Sequence, residues 1–413
     1  MKFFRRRLSN GAPLIGEKRE ETNAVAVGFL VPYGSGSDPL GKSGLAHLYE
    51  HDSFRGGPHS ARIRNAHRVE YKGGVINAGT NNCATYFYCK APKSSLSEAV
   101  ELLRGIILRP TLNEEMFNTE RGVVMAEIGE YHDSPKGHLD DLSVLASFRP
   151  PFNRPILGTQ ESLKTISMHD LFKLRSASYN PSQCCFGIVG NFDEIKAYHL
   201  FKERLDVFPK TKNGILKRNP IIPQCATIVE EREDILQAHL RFSIHGPSTR
   251  SHRRFALYVL DDFISAPVED GFLFDALRNQ EGVVYSATGE INYFDKCTLF
   301  SIGTSTDPKN LKKVIDLIKM GFKSAETMHW KKFNKIKERI IGTHEIEEDS
   351  SEERLIALMQ NESEHRRGAE SYYRVTDYLK RVSLEEVRNL AHLKRYSLAS
   401  MVPKGSISLK PWI

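Results

Sequence analysis

The 413-residue chain is poor in several features, and each shortage excludes a class of protein. It has six cysteines, two of them adjacent at Cys184 and Cys185, which is no disulfide framework, so a reducing, cytoplasmic compartment is expected. It lacks an apolar run of the roughly 18 residues that a membrane span needs. The start, Met1-Lys2-Phe3-Phe4-Arg5-Arg6-Arg7, is basic, but no apolar segment follows it, so no secretory signal is expected. The net charge is +7, with the excess at Met1 to Arg7, Arg250 to Arg254 and Lys309 to Lys319. Aromatic stacking motifs are not interleaved with these runs, which read as solvated faces. Neither nucleic acid nor membrane is expected as a partner.

A hydrophobic content of 40%, with polar stretches throughout, suits a globular protein, and the length suits two or more domains. The organisation looks duplicated, at about 200 residues per half. In the first half the periodicity predicts helices over Leu96–Leu108, Asn113–Tyr131 and Met168–Tyr179, with a strand over Cys185–Val189. Val75–Cys89 reads as one long strand that puts Cys83 and Cys89 on one face, as two small buried thiols. In the second half, Phe255–Ile264, Phe272–Arg278, Leu311–Ala325, Trp330–Thr343, Ser351–Arg366 and Leu384–Leu393 read as helices. Val283–Thr288 and Thr298–Gly303 read as strands. Pro209–Gln224, with three lysines and three prolines, is the expected linker between domains 1–208 and 225–413.

Against this background stands His47-Leu48-Tyr49-Glu50-His51. On a helix, residues i and i+4 share a face, so both imidazoles can grip one metal. Glu50 then lies beside a metal-bound water instead of in the ligand set. Two histidines and a carboxylate base are the layout of a zinc hydrolase, in the inverted order H-x-x-E-H. Leu45, Leu48 and Phe54 recur at helical spacing, and Gly56-Gly57-Pro58 stops the segment. A third ligand is needed, and the helix Asn113 to Pro135 is a candidate source, with Glu120 and Glu127 two turns apart on one face.

The motif, followed 76 residues after His51 by Glu127 in Glu120-Arg121-Gly122-Val123-Val124-Met125-Ala126-Glu127, resembles the M16 metallopeptidases (pitrilysin, insulysin, mitochondrial processing peptidase). Leu8-Ser9-Asn10-Gly11 is similar to the family's opening strand and turn. Gly73-Gly74-Val75-Ile76-Asn77-Ala78 with Thr80 to Tyr86 is similar to its edge strand, and Val189 to Asp193 to the end of its first domain. Leu277-Arg278 and Tyr285-Ser286 are similar to its arginine–tyrosine pair.

The resemblance implies an α+β protein of two related α/β-roll domains, mostly antiparallel sheet covered by helices, forming half of a clamshell chamber. It implies a zinc-dependent endopeptidase with one zinc per chain, bound by His47, His51 and Glu127. Glu50 would be the general base, and Glu120 a carboxylate that orients a ligand. Asn77 and Ala78 would meet the substrate backbone, which an edge strand can accept as one more strand. Arg278 and Tyr285 would hold the substrate carbonyl. A homodimer, or a heterodimer with another M16-like subunit, would complete the chamber. The alternative is a non-catalytic scaffold subunit. One departure is Cys83, where the family usually carries an acidic residue.

Overall fold

The computed structural model describes residues 2–54, 61–108, 113–207, 219–267, 271–276, 284–294, 296–347, 350–364 and 368–406. Its strands are β1 Lys2–Arg7, β2 Pro13–Lys18, β3 Ala24–Val31, β4 Val75–Thr80, β5 Thr85–Pro92, β6 Cys185–Gly190, β7 Thr227–Arg232, β8 Ala238–Gly246, β9 Val284–Phe294, β10 Cys297–Thr306 and β11 Ser397–Pro403. The helices are α1 Leu45–Phe54, α2 Ala61–Tyr71, α3 Leu96–Leu108, α4 Glu114–Asp133, α5 Pro135–Ser147, α6 Gln160–Thr165, α7 Met168–Ser178, α8 Glu194–Leu205, α9 Ala256–Ser265, α10 Leu311–Glu326, α11 Trp330–Glu347, α12 Ser351–Glu364, α13 Ala369–Tyr372, α14 Val375–Arg381 and α15 Leu384–Ala391. Among the described residues no helix is long and apolar enough to cross a membrane.

The chain forms two compact units. In the first, the strand order is β1-β2-β6-β3-β5-β4, with β2 and β6 parallel and every other pair antiparallel. β3 is apolar along almost its whole length because both of its faces are covered. Val25, Val27, Phe29 and Val31 join the main core with residues of α1, α3, α7 and α8. Ala26 and Leu30 meet Leu355, Leu358 and Met359 of α12 on the other face. The approach of α12 is close enough to require glycine in the sheet: a Cβ at Gly28 would sit 2.7 Å from Met359 Cε, and one at Gly187 2.4 Å from Leu355 Cδ1. Arg354 of α12 donates to the fully buried Glu17 at 2.7 Å, and Tyr373 donates to the other oxygen of Glu17 at 2.6 Å.

The second unit has the order β7-β11-β8-β10-β9, with β7 and β11 parallel and the rest antiparallel. One face holds the core of α9, α10 and α15, including Phe242, Leu260, Phe300, Ile318 and Phe322. On the other, Leu139 and Leu142 of α5 pack on Ala399 and Met401, and Arg241 pairs with Asp140 and Glu290. Leaving out β1, the two sheets match strand for strand in order, direction and chain sequence, so the expected relationship between the halves lies in the topology.

Two local differences from the sequence reading have physical causes. The units are not contiguous: Gly129–Arg154 belongs to the second and Glu348–Tyr373 to the first, so each sheet is covered by a helix from the other half of the chain. An amphipathic helix does not encode which apolar sheet it covers. The single strand over Val75–Cys89 is a hairpin, β4 and β5, because Asn81 Oδ1 accepts the N–H groups of Cys83 and Ala84 at 2.8 Å and closes a turn. Cys83 therefore sits in the turn, partly exposed, while Cys89 is buried in the core. The expected Phe272–Arg278 helix is helical from 272 to 276. Arg278, and residues 209–218 of the expected linker, lie outside the described residues.

Candidate metal centre

The helix carrying His47 and His51 is held at its start. Gly44 enters it at φ +89°, where a Cβ would sit 2.5 Å from Leu157 O. Asp38, buried at 1% exposure, accepts the N–H groups of Gly44 and Leu45 at 3.0 Å and of Ala46 at 3.1 Å. Its carboxylate thus satisfies donors at the start of α1 and complements the positive end of the helix dipole. Asp38 has no local signature: it lies six residues or more before the groups it binds, beyond the usual capping offset.

The i, i+4 spacing brings the two imidazoles together, with ring centroids 4.6 Å apart. Glu127 arrives from α4, 3.2 Å from His51 Nε2 and 3.8 Å from His47 Nε2. One donor atom from each of the three residues lies within 4.8 Å of the others. A tetrahedral zinc with bonds of about 2.0–2.1 Å requires donors about 3.3 Å apart. Two nitrogens and a carboxylate oxygen at these separations fit that ion. Glu120, 3% exposed, places Oε2 at 3.4 Å from His51 Nδ1, the contact that fixes the tautomer and orientation of a ligating histidine. Among the described residues His47 Nδ1 has no such partner.

The electrostatics favour ligand forms at two of the three positions. Burial pushes the His47 imidazole down to about 4, against the attraction of Glu127 and with the repulsion of His51, so it is neutral. The hydrogen bond from His51 holds Glu127 below the usual carboxylate range despite desolvation. At His51 desolvation is outweighed by the Glu127 hydrogen bond and the charges of Glu127, Glu50 and Glu120, so its pKa rises. Glu50 sits beside the cluster, 8% exposed. Burial raises its pKa, opposed by a hydrogen bond from Thr80 and by the charge of His51.

The edge strand β4 passes next to α1. Asn81 N–H donates to Ala84 O at 2.9 Å, so the odd-numbered residues of β4 bond β5, and the N–H and C=O groups of Ile76, Ala78 and Thr80 face the open edge. The side chains of Ile76 and Ala78 pack on the α1 side. Asn77 points to the opposite face, donating to Tyr88 OH at 3.2 Å, and its Oδ1 accepts the N–H of Ala78 at 2.8 Å. Tyr285 lies on β9, in the second unit.

In outline this is a duplicated α+β fold with a candidate metal centre in its first repeat. Two models of one peptidase family match the chain: that described as insulinase (peptidase family M16) over residues 14–160, and that described as the peptidase M16 inactive domain over residues 165–337. The chain belongs to the M16 peptidase family. It is 24% identical over 407 residues to the uncharacterized zinc protease YmxG of Bacillus subtilis, covering 96% of this chain and 98% of that protein. It is 24% identical over 261 residues to the mitochondrial-processing peptidase subunit beta of Blastocladiella emersonii, covering 63% and 56% respectively. The crystal structure of a protease from Helicobacter pylori has the same fold, with a TM-score of 0.88 at 19% identity over 97% of this chain and 99% of that one.

Proposed function

We propose that the protein is a zinc-dependent endopeptidase that hydrolyses peptides or small unfolded proteins bound as an added strand on β4. The observation that carries this reading is the convergence of His47, His51 and Glu127 with Glu50 at their side. Bound zinc would supply positive charge at the scissile carbonyl and an acidified water. Glu50 accepts the proton of the attacking water and passes it to the leaving amide nitrogen. Glu120 holds the His51 ring. An extended peptide pairs with the outward groups of Ile76, Ala78 and Thr80, and its carbonyl replaces Asn77 Oδ1 at the Ala78 N–H. Arg278 and Tyr285 take, from the family resemblance, the part of holding the substrate carbonyl.

We place the protein in the cytoplasm, in keeping with six free thiols. We assign it a homodimer, or a heterodimer with another M16-like subunit, as half of a clamshell chamber. A relative named as a subunit supports this assembly.

The test is cleavage of a mixed peptide library by the zinc-loaded protein beside Glu50→Gln. Cleavage by the wild type alone is expected. Equal cleavage by both would overturn the mechanism. Absence of cleavage by either, with zinc bound, would favour the scaffold reading.

A further inference from the structure

We infer that Thr80 is a positioning residue for Glu50: its hydroxyl occupies Oε2 and leaves Oε1 as the oxygen that takes the proton. This rests on the peptidase reading and deepens it. Thr80 Oγ1 lies 2.6 Å from Glu50 Oε2, a length typical of a hydroxyl donating to a carboxylate. Among the described residues Glu50 Oε1 accepts no hydrogen bond, and Thr80 is the one side chain that bonds Oε2.

The proton count fixes the direction of the bond. A threonine hydroxyl has a single proton. Thr85, opposite Thr80 in the hairpin, commits its proton to the backbone carbonyl of Tyr33 at 2.9 Å. The Thr80 and Thr85 oxygens are 3.4 Å apart, so Thr85 is a neighbour with no proton to spare, and the Thr80 proton goes to Glu50. The hairpin turn closed by Asn81 holds Thr80 in register with Thr85. Thr85 is 4% exposed and rigidly bonded, so the hydroxyl that meets Glu50 stands on a fixed support.

The consequence is geometric. A carboxylate on a flexible glutamate side chain can turn either oxygen, or neither, toward the water. With Oε2 tied to the sheet, the remaining freedom of the group is small and Oε1 is held near the proton it abstracts. The same strand offers Ala78 to the peptide backbone. A peptide seated on β4 and the base of α1 are therefore referenced to one rigid element.

Thr80→Val replaces the hydroxyl with a methyl group at similar volume, and Thr80→Ser restores it. Each is assayed as the full zinc-loaded chain on a peptide cleaved by the wild type. The valine variant is expected to retain the wild-type zinc content and KM while losing about ten-fold in kcat, and the serine variant to recover most of that loss. Independent of turnover, crystal structures of the zinc-loaded proteins should show the Thr80–Glu50 contact in the wild type and a rotated Glu50 in Thr80→Val. An unchanged kcat in Thr80→Val, a serine variant no better than valine, or an unmoved Glu50 overturns the inference. If Thr80→Val does not fold, Thr80→Ala against Thr80→Ser makes the same comparison. A wild type that cleaves nothing removes the peptidase reading, and the crystal structures still decide the contact.

Discussion

The two units share a strand order but not a chemistry, and the contrast lies between corresponding helices. In the first, the helix after the long central strand is α1, and the second helix after the edge hairpin is α4. In the second, the same positions are taken by α9 and α11. α1 and α4 meet through two histidines and Glu127. α9 and α11 meet through a forked ion pair, in which Arg339 Nε donates to Asp262 Oδ2 at 3.0 Å and its Nη2 to Oδ1. A guanidinium brings its own positive charge and a carboxylate satisfies it. The neutral His47, together with His51 once it gives up its proton, offers nitrogen lone pairs beside one carboxylate, a set that suits a cation. One topology thus holds a self-contained ion pair in one unit and an ion-seeking donor set in the other.

The largest effect that would test this contrast is on metal binding. Glu127→Gln should weaken zinc binding by more than about 100-fold, since even partners behind the ligands are worth about 10–100-fold. Arg339→Met should leave the zinc content unchanged. Metal analysis after dialysis against a chelator reads both, and zinc loss from Arg339→Met would break the assignment of the two units.

The helices that cover the outer faces sharpen the comparison on stability. In the first unit Arg354 and Glu17 are buried to 3% and 0% side-chain exposure. Arg354→Met leaves a buried carboxylate unpaired and should cost about 3–5 kcal/mol in denaturant unfolding. In the second unit the polarity is reversed, with Asp140 on the helix and Arg241 on the sheet. Asp140 and Glu290 are 37% and 48% exposed. Water can take over their charge, so Arg241→Met should cost about 1 kcal/mol or less. Equal losses would mean that burial does not set the difference.

The smallest expected effect is one of pH. Burial pushes Asp141 of α5 up to about 7, with Asp140 adding to the shift and His138 opposing it. The unfolded chain releases this proton near pH 4, and the folded chain only near pH 7. The contribution of Asp141 to stability is therefore present below pH 4 and is lost as pH rises to about 7. Asp141→Asn should remove that loss, so its melting temperature relative to the wild type should be higher at pH 8 than at pH 4. A pH-independent difference would count against a protonated Asp141.

Much of the site was legible because its spacing is local. His47, Glu50 and His51 lie within one turn and a half of helix, and Glu120 and Glu127 share a face two turns apart. Asp38 and Thr80 were not legible, because each acts on a helix from a distant loop or strand with no periodic signature. The hairpin between β4 and β5 was missed because Asn81 breaks an otherwise strand-like run by bonding its own neighbours.

By itself the sequence determined the family, many of the helices and the candidate donor set, because periodicity and motif spacing are properties of neighbouring positions. Only the tertiary structure decided which sheet each outer helix covers. It also decided that Asn77 turns away from α1 while Thr80 turns toward Glu50. Those choices follow from strand register and from close approach at Gly28 and Gly187, which arise only once distant segments pack together.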